Sequence, residues 1–115
     1  MGYGDGLAGR LARGDIRLCD FAAPDKRRPV VVLTRTSALD YLSRVTVAPI
    51  TSTIRGVPSE IILDEADGMK SACAANLHNV FTVPQGTLGK RVGQLSAHRM
   101  KELCHALNYS LGCDS

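Results

Sequence analysis

At 115 residues and 12.3 kDa the chain has room for one domain with a single core, not for two. Its 44% apolar and 22% charged residues are those of an ordinary globular protein. No apolar run approaches the roughly 18 residues of a membrane-crossing helix. The start has neither a signal-peptide pattern nor the Ser or Thr of a myristoylation site, so a cytoplasmic, membrane-free protein is expected. The net charge of +3 is uneven: residues 1–58 hold nine Lys or Arg against five Asp, and residues 59–115 hold five against six acids. A polyanion suits the basic first half, although a pI near 8.8 is below that of many nucleic-acid binders.

Residues 1–12, with Gly2, Gly4, Gly6 and Gly9 and few bulky side chains, read as a flexible leader to one domain over 13–115. A first strand is expected over 15–21, where Ile16, Leu18 and Phe21 alternate imperfectly, and Pro24 and Asp25 mark a turn over 22–27. The run Pro29, Val30, Val31, Val32, Leu33, Thr34 reads as a strand buried on both faces. Its proline takes the first position, where no ladder donor is needed. Ser37, with Asp40 three residues on, suggests a capped helical turn or a loop. Over 45–50, Val45, Val47 and Pro49 fall on one side of a third strand, with Thr46, Ala48 and Ile50 on the other. Loop chemistry runs from Thr51 to Pro58. Strands are further expected over 59–63, 72–75, 80–83 and 91–95, the first followed by an acidic turn at Asp64, Glu65, Asp67 and Gly68. Ser96 caps the one long helix, in which Met100, Leu103, Cys104, Leu107 and Leu111 keep the helical period up to Gly112. The pattern predicts a small, mainly antiparallel β-barrel with helical additions.

Two clusters carry chemistry. Lys26, Arg27 and Arg28 enter the second strand, where guanidinium forks on a rigid sheet rim can hold a phosphate; on spacing alone they also read as a solvated turn. Thr51, Ser52 and Thr53 leave the third strand, where hydroxyls can donate to a phosphate or cap their own turn. Cys19, Cys73, Cys104 and Cys113 form no CxxC and no zinc-ligand pattern, and read as small buried hydrophobes. No metal site, cofactor site or Gly-rich phosphate loop is expected. His98 and His105 fall on the polar face of the helix and read as surface residues. His78, outside that helix, is a candidate for proton transfer, with structural and base-contacting roles equally open.

The ordered series Gly14, Asp15, Ile16; Arg28, Pro29, Val30, Val31, Val32, Leu33; Val47, Ala48, Pro49, Ile50, Thr51, Ser52, Thr53, Ile54, Arg55, Gly56; and Leu88, Gly89, Lys90, Arg91, Val92, Gly93, Gln94, Leu95, Ser96 closely resembles the MazF/PemK family of toxin endoribonucleases. The resemblance covers residues 13 to about 112 and implies an SH3-like barrel of the PemK/CcdB type with a C-terminal α-helix. It further implies a homodimer, a MazE-like antitoxin, and metal-independent, sequence-specific cleavage of single-stranded RNA to 2′,3′-cyclic phosphate and 5′-hydroxyl ends, which inhibits translation and growth. Messenger RNA is the expected target, with transfer or ribosomal RNA as further candidates.

By that resemblance Arg28 and Thr51 are the catalytic pair. Lys26, Arg27, Ser52, Thr53, Arg55, His78 and Asn79 are candidates for RNA contact. The family's Gly-Ser-Glu-Gln-like run before the arginine has no counterpart here, and Asp25 is the nearest acid. Two rival readings use the same barrel without cleavage: a CcdB-like gyrase poison, although the chain lacks the Trp of that tail, and a non-catalytic RNA-binding barrel.

Overall fold

The computed structural model describes residues 10–20 and 27–113. Within these residues seven strands and one long helix follow in order: β1 (Asp15–Asp20), β2 (Arg27–Val32), β3 (Arg44–Thr51), β4 (Glu60–Leu63), β5 (Cys73–Asn76), β6 (Phe81–Pro84), β7 (Leu88–Gln94) and α1 (Ala97–Leu111). All pairings are antiparallel, in the order β4-β5-β3-β2-β1-β7, and β6 also joins β3. The mainly β architecture with a C-terminal helix is the expected one.

β3 organises the sheet. One edge meets β2 through Val30↔Pro49, Val31↔Ala48 and Val32↔Val47. The other meets β6 from Arg44 to Val47 and β5 at Ile50 and Thr51. One long strand thus shares an edge between two separate strands, and this sharing bends the sheet around two apolar clusters. Val31, Ala48, Ile50, Leu63 and Leu77 pack beneath Leu103 and Ala106 of α1. On the opposite face Val30, Val32, Val45 and Val47 pack with Cys19 and Leu39, and Leu11, Phe81 and Leu88 lie against them. Val30, Val31 and Val32 are all fully buried. Each such side chain contributes about 1.5–3 kcal/mol by leaving water, which makes β2 the axis of both clusters.

Several boundaries differ from the sequence reading. β2 begins at Arg27, so Arg27 and Arg28 belong to the strand rather than to a preceding turn, and Pro29 is its third residue. Pairing with β1 through Leu18↔Pro29, Cys19↔Arg28 and Asp20↔Arg27 extends it. β3 likewise includes Thr51, because Ala74 of β5 pairs with it. β7 begins three residues early, at Leu88, with register shifts against β1. The Ser37 capping box is absent: a 3-10 turn over Thr36–Ala38 has no side-chain cap. Phe21 and the turn expected at Pro24 and Asp25 lie outside the described residues.

Two polar networks lock the sheet. Asp15 is fully buried; its Oδ2 accepts from the Ala12 amide at 3.1 Å and from Arg17 Nη2 at 3.1 Å, and its Oδ1 accepts from Gln94 Nε2 at 3.1 Å. Arg17 also donates to the Gly89 and Arg10 carbonyls. At the other pole Asp64 and Asp67 form a reciprocal capping box around a short 3-10 turn. Arg99 of α1 donates its Nε to Asp67 Oδ1 at 3.0 Å and its Nη1 to Glu102 Oε1 at 2.8 Å. Hydrogen bonds to Asp67 and Glu102 hold the Arg99 guanidinium well above its ordinary pKa. Gly93 passes this turn so closely that a Cβ would stand 2.7 Å from the Asp67 carbonyl oxygen. Ser96 caps α1 by accepting from the Arg99 amide, and Gly112 ends it in the left-handed conformation.

Candidate active site

Alternation along the strands fixes which side chains share a face. Val30 and Val32 belong to the second cluster and Val31 to the first, so Arg28 projects on the face of Val30. Along β3, Val45 and Val47 lie in the second cluster while Ala48 and Ile50 lie in the first, so Thr51 projects on that same face. Continuing the β2–β3 register by two residues beyond Val30↔Pro49 brings Arg28 level with Thr51. The row extends outward through Ala74↔Thr51 on one side and through Arg28↔Cys19↔Leu88 on the other.

Arg28 is exposed and Thr51 half-buried, so the row emerges at the margin of an apolar floor. A planar fork and a hydroxyl there can address one anionic group from two strands. Cys19, between Arg28 and Leu88, adds no charge: burial pushes its thiol up, a hydrogen bond from Thr87 opposes this, and the Asp20 carboxylate adds to the rise. A thiol shifted upward is neutral near pH 7 and a weak nucleophile.

The Thr51 hydroxyl oxygen accepts from the Thr53 amide at 3.1 Å. This turn leads into the exposed segment that carries Ser52, Thr53 and Arg55. Arg27 pairs with Asp20 at 2.9 Å, both side chains well exposed, and a surface pair of this kind contributes little to stability. Lys26 lies outside the described residues.

His78 and Asn79 come from a different part of the sheet than Arg28. They occupy the β5–β6 turn, and β5 lies on the edge of β3 away from β2. In sheet order the turn is thus separated from Arg28 by the whole of β3. Nδ1 of His78 is engaged by the Ser59 hydroxyl, and the His78 amide donates to Asn76 Oδ1 at 3.1 Å. Ser59 and Glu60, which in the sequence read only as the start of a strand, tie the two outer groups of candidates down. Ser59 holds the His78 turn by its side chain and by its carbonyl, which accepts from the Leu77 amide. The Glu60 carboxylate accepts from the Arg55 and Gly56 amides. The available signal was a carboxylate four residues after a glycine in a turn.

His98 and His105 are exposed, as expected. Cys19 and Cys73 are buried, whereas Cys104 is half-buried and Cys113 exposed, so the expectation of buried thiols fails for the last two. Cys104 accepts from Arg13 Nη2 at 3.1 Å, and Cys113 follows the Gly112 cap, where the helix has left the core. Among the described residues no three His, Cys, Asp or Glu side chains gather as metal ligands, and no helix is long and apolar enough to cross a membrane. A groove of about 580 Å³ lies elsewhere, between α1 and β4, lined by Glu60, Ile62, Lys101, His105 and Tyr109 among others.

Comparison with known proteins gives this geometry a family. Residues 12–111 match the model of the PemK-like, MazF-like toxins of type II toxin-antitoxin systems. The chain is similar to "Probable endoribonuclease MazF5" of Mycobacterium tuberculosis, with 42% identity over 103 residues, 89% of this chain and 94% of that protein. It is also similar to "Endoribonuclease MazF3" of the same organism, with 35% identity over 86% of this chain and 96% of that protein. Among solved structures it resembles Mycobacterium tuberculosis toxin MazF-mt6, with a TM-score of 0.79 and 34% identity, covering 85% of this chain and 96% of that one. A mycobacterial endoribonuclease in complex with its cognate antitoxin shares the fold, with a TM-score of 0.79 at 22% identity over 89% of this chain and 95% of that one. With the match spanning β1 to α1 and the Arg28–Thr51 row within it, the chain belongs to the PemK-like, MazF-like family of toxins of type II toxin-antitoxin systems.

Proposed function

We propose that this protein is the toxin of a toxin-antitoxin pair and acts as a sequence-specific endoribonuclease on single-stranded RNA, messenger RNA first, with Arg28 and Thr51 as its catalytic residues. The observation that carries the reading is the antiparallel register that brings Arg28 level with Thr51 on one face. The named relatives of the chain are endoribonucleases.

The chemistry follows from the donors. A ribose 2′-hydroxyl loses its proton and attacks the adjacent phosphorus. The bond from phosphorus to the 5′-oxygen breaks, and that oxygen takes up a proton. The products are a 2′,3′-cyclic phosphate and a 5′-hydroxyl. Negative charge grows on the non-bridging oxygens as the new bond forms. The Arg28 fork and the Thr51 hydroxyl address that charge from adjacent strands, and one preorganised donor of this kind is typically worth about 2.7–4 kcal/mol. Fixed cationic and hydroxyl donors stabilise this charge in place, so the reaction needs no metal ion. Ser52, Thr53 and Arg55 lie along the RNA next to the cleaved bond, while His78 and Asn79 contact bases farther off. Lys26 and Arg27 add positive charge at the entry to β2.

The active species is a cytoplasmic homodimer. Its partner is an acidic antitoxin segment that folds over the basic rim near Arg28, since opposite charge steers such a segment to the site it blocks. The test is incubation of the purified protein with a long unstructured RNA in EDTA, beside Arg28→Ala and Thr51→Ala, with the new ends mapped. Discrete cuts leaving 5′-hydroxyl ends, lost in both variants, are expected. Intact RNA, or cuts equal in all three proteins, overturns the assignment and turns attention to gyrase inhibition.

A further inference from the structure

The segment from Thr51 to Glu60 leaves β3 and returns as β4 on the far side of β5, since β5 pairs with both strands. It therefore crosses over β5 as an exposed connection, with Ser52, Thr53, Ile54 and Arg55 all exposed. A connection of this kind pays its ordering entropy anew on each binding event unless something holds it. Two devices hold this one. At its start the Thr53 amide donates to Thr51 Oγ1 at 3.1 Å. At its end Glu60 Oε1 accepts from the Arg55 amide at 3.1 Å and from the Gly56 amide at 3.0 Å, while Oε2 accepts from Arg55 at 3.3 Å. Gly56, at φ +75°, supplies the left-handed turn that aims both amides at one carboxylate.

We infer that Glu60 is a positioning residue for RNA recognition: its carboxylate clamps the Arg55–Gly56 turn so that the segment beside Thr51 meets the RNA already shaped. The inference rests on the ribonuclease reading above and deepens it. Glu60 touches neither the phosphate nor the bases, and its charge would repel a phosphate brought close. It works through two backbone amides, and what it sets is the geometry of Ser52, Thr53 and Arg55.

Glu60→Ala and Glu60→Gln in the full chain test this. A Gln amide oxygen still accepts from the two amides, whereas Ala does not. The expected result for Glu60→Ala is a KM for RNA raised roughly tenfold, as for loss of a hydrogen bond to a charged group, with kcat within about threefold, faster amide exchange at Arg55 and Gly56, and cuts spread to more sequences. Glu60→Gln is expected to recover most of the KM and the wild-type cut pattern. Faster exchange at Gly56 with unchanged KM and cut pattern overturns the inference, as does equal loss in Ala and Gln or a loss confined to kcat. Wild-type protein that leaves RNA intact overturns the ribonuclease reading and this inference with it, whereas a cutting wild type with an indifferent Glu60→Ala overturns the inference alone.

Discussion

The Thr53 amide donates to the hydroxyl oxygen of Thr51 at 3.1 Å. A hydroxyl has one proton to give and two lone pairs to offer, so this bond takes up an acceptor site and leaves the Thr51 proton available to donate, as the proposed role requires. Thr51→Ser keeps both features and is expected to retain cleavage within about tenfold. Thr51→Val keeps the β-branched shape and is expected to lose cleavage roughly 100- to 1,000-fold. Single-turnover rates on one RNA check this, and Thr51→Val at near wild-type rate would remove the hydroxyl from the mechanism.

Arg28 is asked for a geometry as well as a charge. Arg28→Lys preserves the charge but replaces the planar fork by a point donor. Its expected rate is lower by roughly 100-fold or more, while RNA affinity, which follows charge, changes by less than about threefold. Gel-shift titration beside cleavage assays separates the two; equal falls in both would make Arg28 a simple binding cation.

Far from the site, Asp67 belongs both to the capping box of the Glu65–Asp67 turn and to the Arg99 pair that anchors α1. Asp67→Ala removes both, and the expected cost is about 2–4 kcal/mol of folding stability. Urea unfolding followed by circular dichroism measures it. A change below about 1 kcal/mol would mean that Asp64 and Glu102 suffice to hold Arg99.

Cys19 and Cys73 have thiols raised above their ordinary value of 9.0, in both cases first by burial and then by nearby carboxylates, with Thr87 opposing at Cys19. The folded protein keeps these protons at a pH where the unfolded chain has lost them, so it binds more protons than the unfolded state. Stability from this source is full below pH 9 and falls as pH rises beyond it. Replacing both by Ala is expected to lessen the loss of melting temperature between about pH 9 and 10.5. An equal loss in both proteins would show that the two thiols do not carry it.

The residues that were legible in the sequence act through short-range pattern. Val30, Val31 and Val32 announce a strand buried on both faces because no polar side chain interrupts them. Ser96 and Gly112 bracket α1 because cap chemistry is local. The misplaced boundaries depend on pairing. Thr51 reads as the first residue of a polar loop, but Ala74, distant in sequence, keeps it in β3. Leu88, Gly89 and Lys90 have weak strand character, but Arg17 donates to the Gly89 carbonyl and draws them along β1. Glu60 and Ser59 were passed over because a carboxylate or hydroxyl at a strand start resembles a solvated end until its amide or imidazole partner is known.

The junction of β1 with β7 has a consequence for the timing of synthesis. Ile16 pairs with Gly93, and Asp15 is satisfied in part by Gln94, so one of the earliest strands waits for one of the latest. Loop closure over such a span is slow compared with local hairpins. A nascent chain released before Gln94 would leave the buried Asp15–Arg17 pair without its β7 partners, and a version ending at Thr87 is expected to show no cooperative thermal transition. The fold is thus complete only when almost all of the chain has been made, because its first strand is closed by its last.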